Sequence, residues 1–170
     1  MALAVSLLFD SQTDADVRRI WKTLADSDIC RAMLDLDYAP HVSLVVVDDD
    51  AAEPALRSAL EALASPGFSL CLGPPRSFAG TSIGWLACGA SPDLDRLHQA
   101  VSGALPLEKI RPHYRPGSWT PHMTLQMDGD IAAGLAVASS AWPTPRMGQV
   151  IRVELARFMP VVALGGVDLN

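Results

Sequence analysis

Two histidines in this 170-residue chain sit in matching settings, Pro40-His41-Val42-Ser43-Leu44 and Pro121-His122-Met123-Thr124-Leu125. Each is followed two places on by a hydroxyl residue. In a β-strand, residues i and i+2 point to the same face, so His41 shares a face with Ser43, and His122 with Thr124. The prolines suit strand starts or edges, where no ladder donor is needed. Two imidazoles and two hydroxyls converging on one point suit in-line displacement at phosphorus. That reaction needs a base on the attacking side and an acid on the leaving side. Histidine titrates where one side chain can take either part. The hydroxyls of Ser43 and Thr124 can donate to non-bridging phosphate oxygens and hold the phosphorus between the rings. This chemistry requires no metal and no cofactor.

A single His followed by Ser or Thr two residues on carries little information. The repeat gives the pair its weight. The motifs lie 122 − 41 = 81 residues apart, close to half the chain. The same shift lays strand 2–9 over 83–90 and helix 13–25 over 94–106. It also lays helix 52–64 over 133–145, residues 68–71 over 149–152, and Arg76 over Arg157. One offset carries every element without a gap. The chain therefore reads as one domain, 1–170, built from two related halves of about 1–80 and 82–165. The expected fold class is α+β: a duplicated two-lobe architecture, each lobe an antiparallel sheet with helices on its outer face, around a central groove.

The elements that must position the motifs follow from local patterns. Strands are predicted at 2–9, 41–47, 68–72, 76–79, 83–88, 122–127, 147–155 and 157–164. The breaks fall at Ser65-Pro66-Gly67, Gly73-Pro74-Pro75 and Gly80 to Ser82. A first helix is predicted from Thr13, with Asp16 three residues on as a capping box and Val17, Ile20, Trp21 and Leu24 as its buried stripe. A second covers 52–64, its dipole favoured by Asp48, Asp49 and Asp50. A third runs 91–105 from Ser91-Pro92-Asp93, and a fourth from Asp130 to about Ser140.

The paired motifs resemble the two-histidine (2H) phosphoesterase superfamily, also called the 2′-5′ RNA ligase-like family, whose signature is HxT/S twice in duplicated α+β lobes flanking a groove. The resemblance covers nearly the whole chain. It implies metal-independent hydrolysis of a cyclic phosphate, often a 2′,3′-cyclic phosphate of RNA or a nucleotide, or of a 2′-5′ phosphodiester. His41 and His122 map onto the catalytic positions, and Ser43 and Thr124 onto the phosphate-binding ones. The family usually has its first histidine as acid and its second as base. RNA-end members often carry an arginine just after the second motif. Gln126 and Met127 stand there in this chain, which leaves smaller nucleotides open as substrates. Two alternatives stand beside hydrolysis: a non-catalytic module binding a nucleotide or RNA end, and a reversible 2′-5′ RNA ligase.

Residues 109–119, KIRPHYRPGSW, hold Lys109, Arg111 and Arg115, three of thirteen cations. They read either as a groove rim that attracts an anionic substrate or as an ordinary solvated loop. Candidate substrate contacts are Arg111, His113, Tyr114 and Arg115, with Trp119 and Tyr38 available to stack a base. His98 reads as a helix-face residue. Phe78 and Trp85 read as core.

Charge narrows the partners. Thirteen Lys and Arg against nineteen Asp and Glu leave a net charge of −6, which disfavours gripping long nucleic acid through its phosphates. It permits one phosphate in a locally basic cleft. The expected partner is a small nucleotide or an RNA end with a cyclic phosphate. Cys30, Cys71 and Cys88 form no CxxC pair and no zinc spacing, so they read as reduced thiols in a cytoplasmic protein. Residues 2–9 are too short for a membrane span and lack the basic flank of a signal peptide. A soluble monomer is expected.

Overall fold

A computed structural model describes residues 1–63 and 65–169. Its strands are β1 (Ala2–Phe9), β2 (His41–Val47), β3 (Phe68–Ser77), β4 (Gly84–Cys88), β5 (His122–Gln126), β6 (Arg146–Phe158) and β7 (Val162–Asp168). Its helices are α1 (Ser11–Asp26), α2 (Ala32–Asp35), α3 (Glu53–Glu61), α4 (Pro92–Ser102) and α5 (Ile131–Ala141). The strand order is β1-β2-β5-β4-β3-β6-β7, with β1 also paired to β6, and every pairing is antiparallel.

The β1–β6 pairing closes six strands into a barrel, leaving β7 outside it on β6. The mixed helix and antiparallel-sheet class matches the expectation. The two separate lobe sheets do not, because they are joined into one ring. The reason is an exchange of strands. β3 pairs with β4, and β6 pairs with β1, so the last barrel strand of each half lies beside the first strand of the other. The seams between β2-β1-β6 and β5-β4-β3 are unequal. β3 and β6 share five partner pairs, Phe68↔Val150 to Leu72↔Arg146. β2 and β5 share one, Val42↔Met123. The two motif strands therefore touch once and then diverge, which opens a groove between them.

Side-chain size along β1 keeps that groove open. Leu3, Val5 and Leu7 alternate with Ala2, Ala4 and Ser6. The large residues are fully buried in the core shared with the helices. The small ones lie on the other face, where Ala2 and Ala4 line the groove. Register carries this inner face onto the neighbours: Ser6 lies opposite Ser43 and Glu154, and Ala2 opposite Phe158.

Local chemistry accounts for several shifted boundaries. α1 begins at Ser11 because Asp10 is its cap, accepting from the Gln12 and Thr13 amides at 3.0 Å each. Asp10 also accepts from the Gln149 amide at 2.8 Å, tying the helix start to β6. The proposed Thr13–Asp16 box is displaced by this stronger acceptor. Val17, Ile20, Trp21 and Leu24 are buried as their spacing requires. β3 continues through Gly73-Pro74-Pro75 because a register shift between Leu72 and Pro75 takes up the prolines, and pairing to β6 has ended at Leu72. β6 is one strand where two were expected, and β7 starts at Val162. The predicted C-terminal end of the second helix, Ala64, lies outside the described residues. α2 has four residues, too few to show a periodic pattern.

Candidate active site

Pro40 and Pro121 each precede a motif strand, and the histidine behind each is the first residue of its strand. The two rings are held in the same way. Nδ1 of His41 donates to the Ala39 carbonyl at 2.8 Å, and Nδ1 of His122 to the Thr120 carbonyl at 2.7 Å. A carbonyl only accepts, so Nδ1 carries the proton in both rings. Nε2 is left free of intramolecular hydrogen bonds among the described residues. His41, Ser43, His122 and Thr124 line one cavity of about 690 Å³, together with Arg111, Tyr114 and a largely apolar wall.

Burial lowers the pKa of both histidines. At His41 the bond to Ala39 and the Glu154 carboxylate oppose that shift, and proximity to His122 adds to it. At His122 only the Thr120 bond opposes burial. His41 thus senses the charge of His122, and it alone of the two has a carboxylate that favours its protonated form. Tyr38 contacts both Glu154 and His41. Its buried hydroxyl donates to Glu154 Oε1 at 2.8 Å. Its ring lies 4.9 Å from the His41 ring. Burial and then the Glu154 carboxylate push the Tyr38 pKa far above its ordinary value, so it stays a donor. His122 instead meets aromatic edges, with Phe78 at 5.1 Å and Trp85 at 5.8 Å between ring centroids.

Two tryptophans fix the motif backbones. Trp21 Nε1 donates to the Thr124 carbonyl at 3.2 Å, and Trp119 Nε1 to the Ser43 carbonyl at 3.1 Å. Trp119 stacks on His98 at 3.9 Å, and His98 Nε2 donates to the Tyr114 carbonyl at 2.9 Å. The hydroxyls of Ser43 and Ser6 are 3.3 Å apart.

Of the candidates around the motifs, Arg111 and Tyr114 line the cavity, whereas His113, Arg115, Trp119 and Tyr38 do not. Arg115 donates to the Ile110 and Glu108 carbonyls, at 2.9 and 3.4 Å. Tyr38 packs against the His41 ring, and Trp119 bonds the Ser43 carbonyl. The acidic run has a different partner from the one expected. Arg111 donates twice to Asp48, Nε at 2.9 Å and a terminal nitrogen at 2.5 Å. Lys109 donates to Asp49 at 2.8 Å. Asp49 still caps a short 3₁₀ turn by accepting from the Ala51 amide. Lys109 and Arg111 are therefore neutralised by the acidic run, while Arg115 meets only neutral carbonyls.

Several supporting residues had no signal in the sequence. Glu154 and Ser6 come from strands whose pairing only the fold sets. Met33 and Leu36, at and just after α2, join Met127, Phe158 and Met159 in the cavity wall. Among the described residues, no group of three His, Cys, Asp or Glu side chains converges on one point. No helix among them is long and apolar enough to cross a membrane.

Residues 9–158 match the profile of the 2'-5' RNA ligase superfamily. No curated protein matches the chain in sequence. Several solved structures share the fold. The E. coli protein LigT, solved with 3'-AMP, is 18% identical with a TM-score of 0.67, over 99% of this chain and 97% of that one. A phosphoesterase is 18% identical with a TM-score of 0.64, over 99% and 97%. The TT0787 protein of Thermus thermophilus is 16% identical with a TM-score of 0.63, over 99% and 98%. With a family match spanning most of its length around the paired histidine motifs, the chain belongs to the 2'-5' RNA ligase superfamily.

Proposed function

We propose that this protein hydrolyses a cyclic phosphate, a 2′,3′-cyclic phosphate of a nucleotide or RNA end, or a 2′-5′ phosphodiester, by two-histidine acid–base catalysis without a metal. The observation that carries this reading is the matched anchoring of the rings, each with Nδ1 on a backbone carbonyl and Nε2 left to a shared cavity. Water attacks phosphorus in line. His122 Nε2 takes the proton of the water as the new P–O bond forms. The P–O bond to the leaving oxygen breaks, and His41 Nε2 gives that oxygen its proton. The product is a phosphomonoester, and exchange of protons with solvent resets the pair. The Glu154 carboxylate near His41 supports its part as the acid. Ser43 and Thr124 donate to the non-bridging oxygens. We read the chain as a single domain of two related halves. Corresponding ring places for β1 and β4, β2 and β5, and β3 and β6 support that reading. The three free cysteines suit a cytoplasmic location.

The pH profile follows from the lowered histidine pKa values. The acid must be protonated and the base neutral. As pH rises through a lowered pKa the acid is lost, and as pH falls the base is lost. The bell of kcat/KM is expected to centre below the ordinary histidine value of 6.5. That of kcat is expected at higher pH, since a bound phosphate anion favours the imidazolium. Steady-state rates on 2′,3′-cyclic nucleotides from pH 4 to 9, with EDTA present, test both points. A kcat/KM that keeps rising above neutrality, or activity abolished by EDTA, would count against the reading.

A further inference from the structure

The charge around the groove is already paired. Arg111 is the one lysine or arginine lining the cavity among the described residues, and both of its donating nitrogens are on Asp48. Asp35 is the one carboxylate lining it, and it faces Arg31 at 3.6 Å. Lys109 is held by Asp49, and Arg115 by two carbonyls. The positive charge a ligand can draw on in the cavity is a proton taken up by His41 or His122. One imidazolium matches one phosphodiester anion. A second phosphate meets no unpaired lysine or arginine in the cavity lining among the described residues, and a chain of net charge −6.

The rest of the wall is apolar and yielding. Met33, Leu36, Met127, Phe158 and Met159 all line it. Met127 is 52% exposed and Met159 76% exposed. Thioethers of this kind adapt to aromatic faces and make favourable sulfur–ring contacts.

We propose that the groove selects a phosphate ester with one phosphate and an uncharged aromatic body, a nucleoside, and rejects the same body once a second phosphate is attached. This deepens the reading of the same two-histidine site. The phosphate lies between the imidazoles, and the heterocycle lies against the methionine wall. An elongated RNA end, which brings a further backbone phosphate, is a poorer ligand than a mononucleotide.

Binding tests this without relying on turnover. Calorimetry at one salt concentration compares inorganic phosphate, adenosine 3′-monophosphate and adenosine 3′,5′-bisphosphate. The monophosphate is expected to bind at least about tenfold more tightly than either of the others. Asp48→Asn, which frees Arg111, is expected to narrow the gap to the bisphosphate while leaving the monophosphate affinity within about threefold. A bisphosphate that binds the native protein as tightly as the monophosphate overturns the charge argument. Inorganic phosphate binding equally well overturns the aromatic one, and binding of none of the three overturns both. Selective monophosphate binding with no hydrolysis of any cyclic phosphate supports the selectivity and removes the hydrolytic reading.

Discussion

Replacement of either His41 or His122 by alanine is expected to lower kcat on a cyclic phosphate by about 10²–10⁴-fold. Each variant removes one of two proton transfers, and neither ring can serve both sides of the phosphorus. The double variant is expected to be little worse than either single one, because groups that act as a unit are not additive. The fold should survive. Neither ring is in the buried core, and each hydrogen-bonds only to a carbonyl two residues away. Single-turnover rates and thermal melting, measured on the same samples, check both parts. A single variant that stays folded and retains the native rate would exclude its histidine from the chemistry.

The hydroxyl pair gives a second large effect and a telling asymmetry. Ser43→Ala and Thr124→Val are each expected to lower kcat by about 10²–10³-fold, the usual consequence of removing a donor aimed at a developing charge. Their effects on stability differ. Ser43 is the partner of the fully buried Ser6 hydroxyl at 3.3 Å. Its loss strands that hydroxyl and is expected to cost about 1 kcal/mol or more. The Thr124 hydroxyl has no protein partner among the described residues, and valine keeps its shape. Chemical denaturation should separate the two variants, and the kinetics should not. A Thr124→Val protein with unchanged kcat would remove that hydroxyl from the phosphate site.

Much of the frame was legible because it rests on local rules. The apolar run of residues 2–9, the helical stripe from Val17 to Leu24, and the Ser91-Pro92 start each depend on a few neighbours. The motif strands were legible for the same reason, since a proline followed by His-x-Ser or His-x-Thr fixes which side chains share a face. What lay beyond reach depends on pairing across the chain. Closure of the barrel follows from β3 lying on β4 and β6 on β1. The Tyr38–Glu154 bond joins residues 116 apart in sequence. Arg111 looked available to a substrate because Asp48, 63 residues away, gave no sign of reaching it. The same holds for Trp119. An indole beside a motif suggests a stacking surface, and only the fold shows its N–H on the Ser43 carbonyl.

The central claim is that His41 and His122 flank one phosphorus atom from opposite sides. A crystal structure of the protein with vanadate, which adopts the five-coordinate geometry of in-line displacement, measures this directly. The expected result is one apical oxygen within about 3 Å of His41 Nε2 and the other within about 3 Å of His122 Nε2. Vanadate held by one imidazole alone, or by both from the same side, would contradict it.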